Sequence, residues 1–311
     1  MAKTVSATGD QAGRGIAILL ASVTAMAFAD AVVKLMSQDL TVWQIFIARS
    51  AFALLCLLAL ARAAGARFTP AAPKWVALRS LLLILTWLAF YASLPVLDLT
   101  LAAVAVYTNP ILTALLSAAL LAERVTPRQW LGVLLGFCGV AAILKPGTTS
   151  FSWVVALPLL AAAFYSCAMV LTRSKCRDEG AISLAMALHA AFIATGAIAT
   201  FSLALTGPEA ETSAIYPFLL SGWAPMSFRA WVLMAFLGLL SAAFFLGVAR
   251  AYQIAPPQVV AVFDYGYLVS AAIWGFLFFA EKPDALTILG MVLITAAGLL
   301  VAARPGRRAR G

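Results

Sequence analysis

Leu121-Ala-Glu123-Arg-Val-Thr-Pro127-Arg-Gln-Trp130-Leu-Gly132-Val-Leu-Leu135 closes one apolar run, turns through a short polar segment and opens the next. Phe279-Ala-Glu281-Lys-Pro-Asp284-Ala-Leu-Thr-Ile-Leu-Gly290-Met-Val-Leu293 does the same 158 positions later. The same ungapped offset pairs Ala103-Val104 with Ala261-Val262, and Tyr107 with Tyr265. Few positions are identical, but the matched Glu-to-Gly spacing predicts an internal duplication. What that duplication means depends on how many membrane crossings one copy contains.

The chain has 311 residues, 64% apolar and only 11% charged, against about 25% charged in a typical soluble domain. Apolar runs long enough to cross a hydrocarbon core as helix recur along it. Ten are predicted, at about 15–36, 42–61, 75–96, 100–121, 129–145, 152–172, 181–206, 230–250, 257–279 and 285–303. The alternation of a β-barrel is absent, so the spans read as helices. The fold class expected is an all-α polytopic membrane protein.

The net charge of +9 does not point to nucleic acid, because the basic residues sort by side. With the N-terminus in the cytoplasm, sixteen lysines and arginines fall on the cytoplasmic side. Only Lys34, Lys145, Arg229 and Lys282 fall on the other, and Arg49 lies within a span. Such a bias is the positive-inside pattern. It predicts ten crossings in a cell inner (plasma) membrane with both termini cytoplasmic. Residues 14–29 also resemble a secretory signal ending at Ala25-Met26-Ala27. The apolar stretch runs on past Asp30 to Met36, however, and cleavage would break the two-fold division. Cys56, Cys138, Cys167 and Cys176 have no metal-ligand spacing and read as packing residues.

Ten spans divide into five and five, and an odd number per copy forces the second into the opposite orientation. The predicted architecture is two inverted five-helix repeats, 15–145 and 152–303, followed by a basic tail at 304–311. Inverted repeats let a protein adopt two related states, each open to one side.

Residues Tyr107-Thr-Asn-Pro110 and Leu120-Leu-Ala-Glu123 through Gly132 to Gly139 resemble the EamA domain of the drug/metabolite transporter superfamily. Phe263-Asp-Tyr-Gly-Tyr267 through Glu281-Lys-Pro-Asp284 to Gly290 resembles a second such domain, and Arg49 matches the arginine typical of the second helix. Phe28-Ala-Asp30-Ala-Val-Val-Lys34 looks most like a branch that includes S-adenosylmethionine uptake carriers, with riboflavin carriers a looser likeness. The resemblance implies a central cavity lined by spans 1, 3, 4, 6, 8 and 9. It also departs in one place: Pro110 of span 4 has Leu268 as its counterpart in span 9, which predicts a different kink there.

Ionisable residues inside spans are costly and face a cavity or a partner. Asp30 and Arg49 lie at similar depths from the outer side, about 9 Å by helical rise, and are expected to form an outer acid–base pair. Lys34 lies one turn beyond Asp30 and is expected to snorkel to the interface. His189 and Asp264 lie at comparable depths from the cytoplasmic side and are expected to form an inner pair. These four are the candidates for gating or coupling, with a proton as the candidate coupling ion. Trp87, Tyr91, Tyr107, Asn109, Tyr165, Tyr265 and Tyr267 are the candidate substrate contacts, because rings with polar tips suit planar or cationic solutes.

Glu123 and Glu281 are expected to cap the helix that follows each. Gly132 and Gly290 are expected to permit close helix approach. Spans 5 and 10, poor in polar groups, suit a supporting or homodimer-contacting role. With one histidine and no HExxH, GxSxG or P-loop, no enzyme, cofactor or metal site is expected. The expected function is a secondary carrier for a small organic metabolite, amino-acid-derived or nucleoside-containing. Riboflavin import, amino-acid or metabolite export, or a role as a lipid-flippase subunit are the alternatives.

Overall fold

The computed structural model describes residues 3–66, 68–120, 127–144, 152–207, 214, 216–254, 263–264 and 266–302. Among these there is helix and no strand. The main helices are α1 (Lys3–Met36), α2 (Val42–Ala63), α3 (Pro73–Ser93), α4 (Leu99–Val106), α5 (Asn109–Leu120), α6 (Pro127–Leu144), α7 (Ala156–Lys175), α8 (Ala181–Thr206), α9 (Phe228–Ile254), α10 (Gly266–Phe279) and α11 (Ala285–Ala302). Seven helices among the described residues are long and apolar enough to cross a membrane, with α4 and α5 counted as one. Three shorter apolar helices, Trp130–Gly139, Gly266–Phe279 and Ala285–Ala297, fall where spans 5, 9 and 10 are expected. The chain is a multi-pass helical membrane protein.

Local sequence sets the helix ends. Thr41 and Gln44 form a reciprocal capping box at the start of α2. Pro73 opens α3, where its missing N–H costs nothing. The fourth span, where Pro110 lies, breaks between α4 and α5 at Tyr107–Thr108. Pro110 cannot donate to the carbonyl of Val106, and Thr108 donates only to Ala105, at 3.4 Å.

The helices pack in a recurrent pattern. α1 lies against α9 and α10, while α7 lies against α3 and the α4–α5 pair. α2 pairs with α8, and α6 with α11. α2 also packs on α9, as α8 does on α3. Glycine permits close approach here: a Cβ built on Gly238 of α9 would stand 2.7 Å from the Arg49 carbonyl oxygen of α2. Gly132 and Gly290 are buried.

Two clamps sit before α3 and α9. The segment before α3 ends in Ala72-Pro73, and the segment before α9 contains Ala224-Pro225. The Ala71 and Ala72 N–H groups donate to the Glu179 carboxylate at 3.0 and 2.5 Å. The Ala224 N–H donates to Gln44 Oε1 at 3.1 Å, and Gln44 Nε2 returns a bond to the Ala224 carbonyl at 2.7 Å. Gln44 lies in the first turn of α2, and Glu179 lies two residues before α8. Each member of the α2–α8 pair therefore holds the entrance of the helix it packs against.

Candidate functional site

The middle of the bundle encloses a cavity between α1, α3, the α4–α5 break, α7 and α10. Helical spacing builds its wall: Met26 and Asp30 share a face of α1 at i, i+4, and Thr86 and Phe90 do so on α3. Trp87, Tyr107, Asn109, Tyr165 and Tyr267 complete the lining with Val106. Five of the seven expected substrate contacts thus meet in one place. Tyr91 lies behind the wall, and Tyr265 lies outside the described residues. α9 contributes no lining residue, contrary to expectation. It backs the wall instead, with Phe245 edge-on to Trp87 at 5.6 Å.

The cavity holds about 340 Å³ of atom-free space, of which the centre of a water molecule can reach about 30 Å³. Ligand pockets run to roughly 300–1,000 Å³, so this conformation is closed around its centre. The Tyr107 and Tyr267 rings stack across the cavity with centroids 4.9 Å apart and planes 20° apart.

The outer acid–base pair is not a direct contact. Asp30 is fully buried and accepts two tyrosine hydroxyls, Tyr91 at 2.9 Å and Tyr267 at 2.7 Å. Arg49, also fully buried, donates to the Tyr91 oxygen at 2.8 Å. Tyr91 is therefore the bridge between acid and base. The guanidinium carbon stands 5.3 Å from the Phe192 ring, 5.7 Å from Tyr91 and 6.0 Å from Phe46, a cation–π enclosure.

The inner pair does not form. His189 Nδ1 lies 3.1 Å from Ser50 Oγ, and its ring meets Phe245 edge-on at 5.5 Å. It belongs to the α2–α8 interface, beside Arg49. Asp264 instead accepts the hydroxyl of Tyr252, twelve residues earlier, at 2.5 Å. Helix packing separates the two because α8 lies against α2, whereas Asp264 stands just before α10.

Lys34 does not snorkel. Its Nζ donates to Glu281 at 2.8 Å and to the Leu97 carbonyl at 2.9 Å, and stands 4.9 Å over the Phe279 ring. It is the one ion pair within 4 Å among the described residues. Glu281 also accepts from the backbone N–H groups of Leu99 and Thr100 at 2.8 and 3.0 Å, and from the Thr100 hydroxyl at 2.9 Å. It caps α4, not the helix that follows it; Asp284 caps α11 through the Thr287 N–H at 2.9 Å. Burial pushes the Glu281 carboxyl up, but the donors Lys34, Thr100 and Leu99 outweigh it and hold the group below the ordinary glutamate value of 4.5. Ala280, at φ 53, makes the left-handed turn that delivers Glu281 to α4. Glu123 lies outside the described residues.

Sequence reasoning missed Met26, Thr86 and Phe90 in the cavity wall, and Tyr252 and Glu179 as partners. The i, i+4 relation to Asp30 and to Phe90 was a signal for Met26 and Thr86. Nothing local marks Glu179, whose partners lie more than 100 residues away.

A buried acid and a stack of rings inside a bundle of apolar helices define the class: a polytopic protein with a polar, aromatic interior site. Residues 13–145 match the EamA-like transporter family. Over that stretch the chain is similar to members of that family, which is part of the drug/metabolite transporter superfamily. It is similar to the pseudopaline exporter CntI of Pseudomonas aeruginosa, 29% identical over 284 residues, 90% of this chain and 93% of that one. It is 27% identical over 224 residues to a riboflavin transporter of Rhizobium johnstonii, covering 72% and 67% of the two chains. It is 26% identical over 225 residues to an S-adenosylmethionine uptake transporter of Rickettsia prowazekii, covering 72% and 70%. A crystal structure at 19% identity aligns over 94% of this chain and 98% of that one with a TM-score of 0.62, a likeness of fold alone. The family and these relatives are membrane transporters, not enzymes.

Proposed function

We propose that this chain is a secondary active transporter that moves a small organic metabolite across the inner membrane by alternating access. The solute class is amino-acid-derived or nucleoside-containing, such as S-adenosylmethionine. The observation that carries this reading is the closed central cavity, walled by helices from both halves and holding Asp30 among aromatic rings. A closed site between two packed halves suits a carrier that opens to one side at a time.

Residues 15–145 and 152–303 act in this proposal as inverted repeats, with ten crossings and both termini cytoplasmic. The recurrent helix pairings support it, as do the paired clamps at Ala72-Pro73 and Ala224-Pro225. Asp264 is the proposed site of proton coupling. It is a buried acid just before α10, held by Tyr252 alone among the described residues, so its protonation would change a single hydrogen bond. Arg49 and His189 are assigned to the α2–α8 interface, as positioning groups for Tyr91 and hence Asp30.

Export is the second reading, favoured by the longer match to the pseudopaline exporter. The test is uptake by proteoliposomes of the purified protein. Labelled S-adenosylmethionine would be competed by riboflavin and an amino-acid panel, with and without a pH gradient in either direction. Saturable, gradient-dependent uptake that loses its pH dependence in Asp264→Asn is the expected result. pH dependence unchanged in that variant would remove Asp264 from coupling. Absence of uptake and of competition in both orientations would favour a flippase subunit.

A further inference from the structure

We infer that the central cavity takes an organic cation, held through Asp30 with the surrounding rings packed on its body. The inference rests on the carrier reading and names the solute class for the same site. Asp30 is the one carboxylate among the cavity-lining residues described, and no lysine or arginine lines the wall with it. Both of its oxygens accept hydroxyls, which are neutral donors, and each oxygen keeps a second lone pair for a further donor. Neither nearby cation pairs directly with Asp30. Arg49 stops at the Tyr91 oxygen and is enclosed by Phe46, Tyr91 and Phe192. Lys34, one turn along α1, is held by Glu281 and the Leu97 carbonyl. A carboxylate buried at membrane depth without a direct cation is costly, and a cationic solute supplies the missing partner.

The rest of the wall agrees in sign. Trp87, Phe90, Tyr107 and Tyr267 present rings whose faces attract cations and repel anions. Other buried atoms of the wall ask for a polar solute. Trp87 Nε1 has a hydrogen to donate, Asn109 Oδ1 has lone pairs to fill, and neither has a partner among the described residues. The solute that satisfies all three is a cation carrying both an acceptor and an N–H or O–H donor. Its approach to Asp30 competes with the Tyr267 hydroxyl. Binding would therefore loosen the tie between α1 and α10.

The experiment measures binding to the purified wild-type protein by calorimetry, using two pairs of probes that differ chiefly in charge. S-adenosylmethionine, a sulfonium of net charge +1, is compared with S-adenosylhomocysteine, whose sulfur is a neutral thioether and whose net charge is zero. 2-Phenylethylamine is compared with 2-phenylethanol. Each cation is expected to bind about tenfold or more tighter than its partner, the range of one charge-assisted hydrogen bond. The ratio should fall towards one in Asp30→Asn. Tyr267→Phe keeps the ring and removes the competing hydroxyl, so it should raise cation affinity without changing that of the neutral probes. Equal affinities within each pair, no binding of either cation up to millimolar concentration, or a ratio unchanged in Asp30→Asn would overturn the inference. Riboflavin uptake measured in parallel separates the two claims. Saturable riboflavin uptake without charge discrimination keeps the carrier and removes the cation. Charge discrimination without uptake of any solute keeps the site and removes the carrier.

Discussion

Replacing Glu281 by glutamine tests whether the Lys34–Glu281–α4 junction holds the C-terminal ends of α1 and α10 to the start of α4. The carboxylate accepts four bonds between 2.8 and 3.0 Å, from Lys34 Nζ, the Leu99 and Thr100 N–H groups and the Thr100 hydroxyl. Glutamine keeps one acceptor oxygen and brings an NH₂ group to face donors. Losing one partner of a buried ion pair costs about 3–5 kcal/mol. Here the Lys34 side chain keeps 14% of its surface exposed and retains the Leu97 carbonyl, so the expected loss is about 2–3 kcal/mol. Reversible unfolding in mixed micelles, followed by circular dichroism, would measure it. A cycle with Lys34→Met should return a coupling energy of about 1–2 kcal/mol. A coupling below about 0.5 kcal/mol would mean that the pair behaves as an exposed one, and would refute the argument from burial. The pH dependence has a definite sign. Because the folded Glu281 carboxyl lies below 4.5, its contribution is present above that value and fades as pH falls through the folded one.

Gly238→Val should destabilise by about 1–3 kcal/mol or more, since its Cβ would press on the Arg49 carbonyl and Phe52; a native unfolding midpoint would contradict that packing. Ala280→Gly should be neutral to stabilising by up to about 1 kcal/mol, because glycine takes the left-handed turn without strain, and the same unfolding assay reads it. Glu179→Ala should cost about 1–2 kcal/mol by leaving the Ala71 and Ala72 N–H groups uncapped. Faster hydrogen exchange confined to the start of α3 would be its signature.

How much of the site was legible varies residue by residue. Trp87, Tyr107, Asn109, Tyr165 and Tyr267 were recognisable because an aromatic or amide group deep in an apolar run has few reasons to be there. Asp30, Arg49, His189 and Asp264 were recognisable as exceptional for the same reason, but their partners were not. Depth along a helix ranks residues by height and leaves their azimuth open. Asp30 and Arg49 are near in height, yet Tyr91 stands between them. His189 and Asp264 are near in height but lie in different parts of the bundle. Glu281 was read as a cap for its own helix because capping is usually local. The left-handed turn at Ala280 instead sends it across to α4.

The sequence by itself determined that this is a helical membrane protein, that its polar residues inside spans are few, and which they are. Hydropathy, charge sorting and a repeated turn suffice for that, because each is a property of a single segment against lipid or water. The tertiary structure alone decided who meets whom. Asp30 finds Tyr267 across 237 residues, and Lys34 finds Glu281 across 247. Helices in a bilayer are chosen as neighbours by close packing and by the few hydrogen bonds between them, and neither is written in the composition of one helix.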